Sequence, residues 1–86
     1  MKLVHVSGKR IVIARMEEEY VAFDDRCTHR DGSLAGGMMI CCTVQCPWHG
    51  SQFDVRTGVV KAGPATEKIL IYKVEEVNNM VYLNLK

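Results

Sequence analysis

Two short stretches constrain this chain more than anything else in it. Cys27-Thr28-His29 and Cys46-Pro47-Trp48-His49-Gly50 each place a thiol ahead of an imidazole, with one or two residues between. Sixteen residues separate His29 from Cys46, enough to leave one loop and return as another. An isolated cysteine is usually a small buried hydrophobe. Two matched pairs in glycine-punctuated loops are not explained that way. A fold for this chain must bring both loops together, and Cys27, His29, Cys46 and His49 are the candidate metal ligands.

The rest of the chain supplies short strands to carry those loops. Its 86 residues form a single domain, 1–86, with room for one modest core. No helical periodicity of useful length appears. The apolar runs are short, rich in Val and Ile and separated by turn residues, which predicts an antiparallel all-β domain. Strands are predicted at Leu3–Val6, Ile11–Met16 and Tyr20–Phe23, with turns at Ser7-Gly8 and Glu17-Glu18-Glu19. Residues 30–37 read as loop, and Met38–Gln45 as one strand running into the second pair. Gln52–Val55 leaves that pair, Thr57-Gly58 turns, and Val59-Val60 comes next. Ala62-Gly63-Pro64-Ala65 is a third irregular loop, because proline lacks an amide donor. Ile69–Val74 and Met80–Leu85 flank Asn78-Asn79 as a hairpin, with Leu70, Tyr72 and Val74 sharing one face.

Composition narrows the function class. Hydrophobic content of 48% and charged content of 24% are those of a globular protein, and a net charge of +1 gives no footprint for nucleic acid. No apolar run approaches the roughly 18 residues of a membrane span. The start, Met1-Lys2-Leu3-Val4-His5, lacks the apolar region of a signal peptide. The chain is therefore expected to be cytoplasmic, with no membrane partner. In a reducing compartment clustered cysteines serve as ligands more often than as disulfides. Cys41 and Cys42 lie in a strand-like run and read as structural, as does His5.

Four Cys and His ligands suit two kinds of centre. Structural zinc takes four in a tetrahedron, but the familiar finger puts two Cys in one knuckle and two His in the other. Here each knuckle mixes the types. A two-iron, two-sulfide cluster with Cys on one iron and His on the other suits mixed knuckles. Gly32 and Gly50 would let backbone amides approach its sulfurs. A zinc-stabilised interaction module remains the competing class.

Cys27-Thr28-His29 with Cys46-Pro47-Trp48-His49-Gly50-Ser51 resembles the Rieske signature. The likeness extends outward. Gly8-Lys9-Arg10 through Ala22-Phe23-Asp24-Asp25-Arg26 is similar to the strands before the first loop of bacterial Rieske ferredoxins. Gln52-Phe53-Asp54-Val55-Arg56-Thr57-Gly58 is similar to the segment leaving their second loop, and Gly63-Pro64-Ala65 resembles the proline loop over the cluster. The resemblance implies a Rieske-like β-sandwich or barrel with a cluster-binding subdomain at about 26–54. It implies one [2Fe-2S] cluster, with Cys27 and Cys46 on the buried iron and His29 and His49 on the outer one. It further implies an electron carrier rather than an enzyme, with no small-molecule substrate, passing electrons from a flavin reductase to a terminal oxygenase. A small subunit of a nitrite reductase is the alternative within the family.

Departures from the family pattern add expectations. Gly32 and Trp48 stand where the cytochrome bc-type proteins carry a disulfide, so none forms here. Ser51 matches a hydroxyl donor of the high-potential proteins, but Phe53 replaces their Tyr. Fewer donors place the potential in the lower part of a range of roughly −150 to +300 mV. The chain starts inside what would be the family's second strand, so Met1–Val4 stands in for an edge strand or that edge is lacking. Trp48 is expected to pack beneath its loop, and Arg26, Arg30 and Asp31 to be solvated loop charges.

Overall fold

Among the described residues of the computed structural model (1–16, 19–28, 32–48 and 50–84), short apolar runs form nine strands. They are β1 (Lys2–Val6), β2 (Lys9–Met16), β3 (Glu19–Asp24), β4 (Met38–Ile40), β5 (Thr43–Gln45), β6 (Gln52–Asp54), β7 (Val60–Ala62), β8 (Ile71–Val77) and β9 (Met80–Asn84). They build a five-stranded sheet, β1-β2-β3-β8-β9, and a four-stranded sheet, β4-β5-β6-β7. Every strand pairing is antiparallel. This is the predicted all-β class. No helix in the described residues is long and apolar enough to cross a membrane.

Period-two alternation decides what each face covers. In β2, Val12, Ala14 and Met16 enter one core while Ile11 and Ile13 join another. In β3, Val21 and Phe23 point to the first and Ala22 to the second. The first face meets the four-stranded sheet and the loops through Leu34, Val44, Phe53, Val55, Ala65 and Ile69. Cys27 and Cys46 are members of this same core. Burying Phe23 and Phe53 fully contributes about 1.5–3 kcal/mol each. Tyr72, with Val4, Val6 and Leu83 partly buried beside it, fills the opposite face.

The hairpin turns obey their residue chemistry. Ser7-Gly8 has φ +51° and +77°, and Asn78-Asn79 has +51° and +66°, so both join their strands in two residues. Asp54 holds the Thr57-Gly58 turn by accepting the Arg56 and Thr57 amides on Oδ1 at 2.8 and 3.2 Å. β1 pairs with β2 from Lys2 to Val6 and stands first in the order of the five-stranded sheet.

Two segments differ from the sequence expectation. Met38–Gln45 is not one strand but the β4–β5 hairpin, turning at Cys41-Cys42 with Cys41 at φ +54°. No Gly or Asn marks that turn, so the apolar run concealed it. Cys41 is exposed and Cys42 half-buried, and neither is in a strand. The last hairpin also begins later than predicted. Ile69 and Leu70 belong to the third loop, whose Ile69 amide donates to Gly58 O at 3.0 Å. Leu70 is therefore exposed while Tyr72 is buried. The predicted Glu17-Glu18 turn positions and Leu85 lie outside the described residues.

Candidate metal centre

The two ligand loops close in the same way. Arg26 bridges Ser33, and Gln45 pairs with Gln52, each across seven positions. Inside each closure the cysteine amide donates to the carbonyl five residues on: Cys27 to Gly32 at 2.9 Å and Cys46 to Ser51 at 2.8 Å. Gln52 Nε2 adds a bond to Gln45 Oε1 at 3.0 Å across the second loop. Each cysteine thus stands at the first position inside a clamped loop, pointing into the core.

A buried carboxylate anchors the first loop. Asp25 Oδ1 accepts the Ser33 hydroxyl at 2.9 Å and the Ala35 amide at 2.8 Å. Its carbonyl accepts the Leu34 amide at 2.8 Å, and its own amide donates to Arg10 O at 3.0 Å. Four bonds thereby tie β2, the start of the loop and its return together. By sequence Asp25 stands only in the segment that leads from the third predicted strand into the first ligand loop. A carboxylate two residues before Cys27, with Ser33 beyond the loop, is the one signal that pointed to it.

The third loop locks the other two. Gly63 has φ +91°, and a Cβ there would lie 2.6 Å from Ser51 Cα and 3.0 Å from Gly50 O. Only glycine lets the chain cross the second ligand loop this closely. Two residues on, the Ala65 amide donates to the buried Ser51 Oγ at 3.2 Å. Thr28 Oγ1 donates to Glu67 O at 2.6 Å, tying the same loop to the first ligand pair. An extra residue in β7, Lys61, shifts the register where this loop leaves the sheet.

The two thiols meet at the centre of this arrangement. Cys27 is 1% exposed and Cys46 2%, and Cys27 lies within hydrogen-bonding reach of Cys46. Burial pushes the Cys46 thiol up, and the Cys27 thiol adds to that, while the Trp48 amide pulls the other way. The Cys46 thiol is thus costly to ionise alone, and a bound cation removes that cost. Gly32 keeps the space open, since a Cβ there would stand 3.2 Å from Cys46 Sγ. Ser51 accepts from Ala65, so its own proton is left to donate. This donor set fits a two-iron, two-sulfide group.

Of the four predicted ligands, Cys27 and Cys46 converge, while His29 and His49 lie outside the described residues, as do Arg30 and Asp31. Accordingly no metal-holding group of three is complete among the described residues. Cys41 and Cys42 are elsewhere, at the β4–β5 turn, and all four cysteines are free. Trp48 corrects an expectation. It is 55% exposed and lies over Gly32 instead of packing beneath its loop, since the core under the loop is already filled by Leu34, Val44 and Phe53.

Known proteins resemble this chain along nearly its whole length. The family described as Rieske [2Fe-2S] domain matches residues 1–78. The ferredoxin component of the naphthalene 1,2-dioxygenase system of Pseudomonas putida is 34% identical over 82 residues, 95% of this chain and 79% of that protein. The ferredoxin of carbazole 1,9a-dioxygenase from Nocardioides aromaticivorans IC177 superposes with a TM-score of 0.94 at 25% identity, covering 99% and 84% of the two chains. A chain from the complex of reduced oxygenase and oxidized ferredoxin in carbazole 1,9a-dioxygenase gives 0.91 at 30% identity, covering 95% and 85%.

Proposed function

This chain belongs to the Rieske [2Fe-2S] domain family, and we propose that Cys27, Cys46, His29 and His49 are the residues that hold its single cluster. The observation that carries the assignment is the meeting of Cys27 and Cys46 from two identically closed loops, inside the core. Two buried thiolates supply the inner pair, which leaves the imidazoles of His29 and His49 for the outer iron. When bound, the cluster supplies one-electron oxidation and reduction. The cluster-binding unit is the segment at about 26–54 together with the proline loop that covers it.

The chain's own residues shape that chemistry. The hydrophobic core around Leu34, Val44 and Phe53 excludes water from the inner side. The Trp48 amide donates toward the Cys46 sulfur, and the Ser51 hydroxyl, whose oxygen accepts from Ala65, is assigned as a second donor to the cluster; donors of this kind stabilise the reduced, more negative state. Phe53 offers no hydroxyl, which keeps the potential in the lower part of the family's range.

The protein is an electron carrier and not an oxygenase in its own right, in line with relatives that are ferredoxin components of dioxygenase systems. It takes electrons from a flavin reductase and delivers them to a terminal oxygenase, in the cytoplasm. The test is spectroscopic. Purified protein should be red-brown, with two irons and two sulfides per chain and a low-g EPR signal after dithionite. Replacing His29 or His49 with Cys should shift the midpoint strongly downward or abolish the cluster. A colourless protein with one zinc per chain would sink the reading in favour of an interaction module.

A further inference from the structure

We propose that Asp25, set against Arg10, is a positioning pair that fixes the path of the first ligand loop and also sets the charge felt by a cluster on Cys27. The inference rests on the cluster reading above. Asp25 divides its work between two oxygens. Oδ1 accepts both loop donors, the Ser33 hydroxyl and the Ala35 amide, at 2.9 and 2.8 Å. Oδ2 makes no hydrogen bond among the described residues, although it is buried. It lies 3.6 Å from Arg10 Nε, an ion-pair distance and too long for a hydrogen bond.

That division separates anchoring from charge. An asparagine keeps an oxygen at the Oδ1 position that can accept both loop donors, though without the charge. The carboxylate therefore carries a charge beyond what those two hydrogen bonds need, and its second oxygen stands 3.6 Å from the Arg10 guanidinium. The two members also differ in screening. The Asp25 side chain is 0% exposed and that of Arg10 44% exposed, so water and salt weaken the cation's field more than the anion's. Two residues from Cys27, a buried negative charge disfavours an electron arriving on the cluster, and Arg10 partly offsets it. Removing each partner should thus move the potential in opposite directions.

The test compares cluster-loaded wild type, Asp25→Asn, Arg10→Gln and Asp25→Ala by dye-mediated redox titration, with iron and sulfide per chain measured on each. Asp25→Asn should load as wild type and titrate at a more positive midpoint. Arg10→Gln should load and titrate at a more negative one. Asp25→Ala, which strands the Ser33 and Ala35 donors, should load less iron. A role in packing alone would move both charge variants the same way or leave both midpoints in place, and either result overturns the inference. If Asp25→Asn loads poorly, Oδ1 anchoring is not preserved by the amide and the proposed division of labour is refuted. Arg10→Gln, on the surface, still reads the sign by itself. A wild type without a Rieske spectrum would remove the functional reading instead, so the two failures are distinct.

Discussion

Gly63→Ala should loosen the loop that covers the cluster, and the structure gives the size of the effect. At φ +91° a side chain costs about 1–2 kcal/mol in backbone strain alone. The added Cβ would also lie 2.6 Å from Ser51 Cα and 3.0 Å from both Gly50 O and Ser51 N. Carbon atoms rest at about 3.5–4.0 Å, so the loop must retreat by about 1 Å. The obstacle is backbone, which cannot rotate aside. Retreat stretches the Ala65–Ser51 bond, already 3.2 Å, and its loss costs about 1 kcal/mol more. The sum is about 2–3 kcal/mol, concentrated in opening of the third loop, which corresponds to roughly thirtyfold or more in how often the cluster is uncovered. The assay is the decay of the visible band in the presence of an iron chelator, alongside urea unfolding. Gly8→Ala is the control. Gly8 has φ +77° but nothing within 4 Å of its would-be Cβ, so that variant carries only the strain and should keep wild-type iron release. If Gly63→Ala releases iron within twofold of wild type, or Gly8→Ala matches it, the close-approach argument is wrong.

Three further outcomes are expected. Ser51→Ala leaves the buried Ala65 amide without its acceptor, costing about 1–3 kcal/mol, and removes a hydroxyl donor, so its midpoint should fall; denaturation and redox titration read the two effects. Burial raises the Asp24 carboxyl above its ordinary 3.8, against the opposing charge of Arg26. A raised folded-state value means that folding favours the protonated form, so this contribution is present below 3.8 and lost as pH climbs through the raised value. Asp24→Asn should therefore stabilise the protein at neutral pH with no gain in acid, as read from melting temperature against pH. In the loaded protein Cys41, exposed at its turn, should alkylate first and Cys27 and Cys46 last; mass spectrometry of peptides from a timed iodoacetamide reaction checks the order.

Most of the strand pattern could be read directly, because period-two burial and positive-φ turn residues are local signals. Ser7-Gly8 and Asn78-Asn79 turn where their residue types demand it. The pattern failed where a turn used an unmarked residue, at Cys41, and where tertiary contacts delayed a strand, at Ile69 and Leu70. The first exception is local, a turn without its usual residue; the second is a matter of longer-range packing. Gly58 approaches Ile69 so closely that a Cβ would stand 2.2 Å from its carbonyl oxygen, and no window of sequence encloses both residues' neighbours.

The same boundary runs through the site. The ligand types and their mixed spacing were legible in the chain, since thiol and imidazole chemistry depends on residue identity. The sequence alone also determined the all-β class and excluded a helical membrane span. Only the tertiary structure decided that Cys27 and Cys46 face each other in the core, that Trp48 lies outside over Gly32, and that Asp25 anchors the first loop with a single oxygen. Each of those facts is a distance between residues remote in the chain. Such distances are set by how two sheets and three loops close on one another, and that closure is a property of the packed whole.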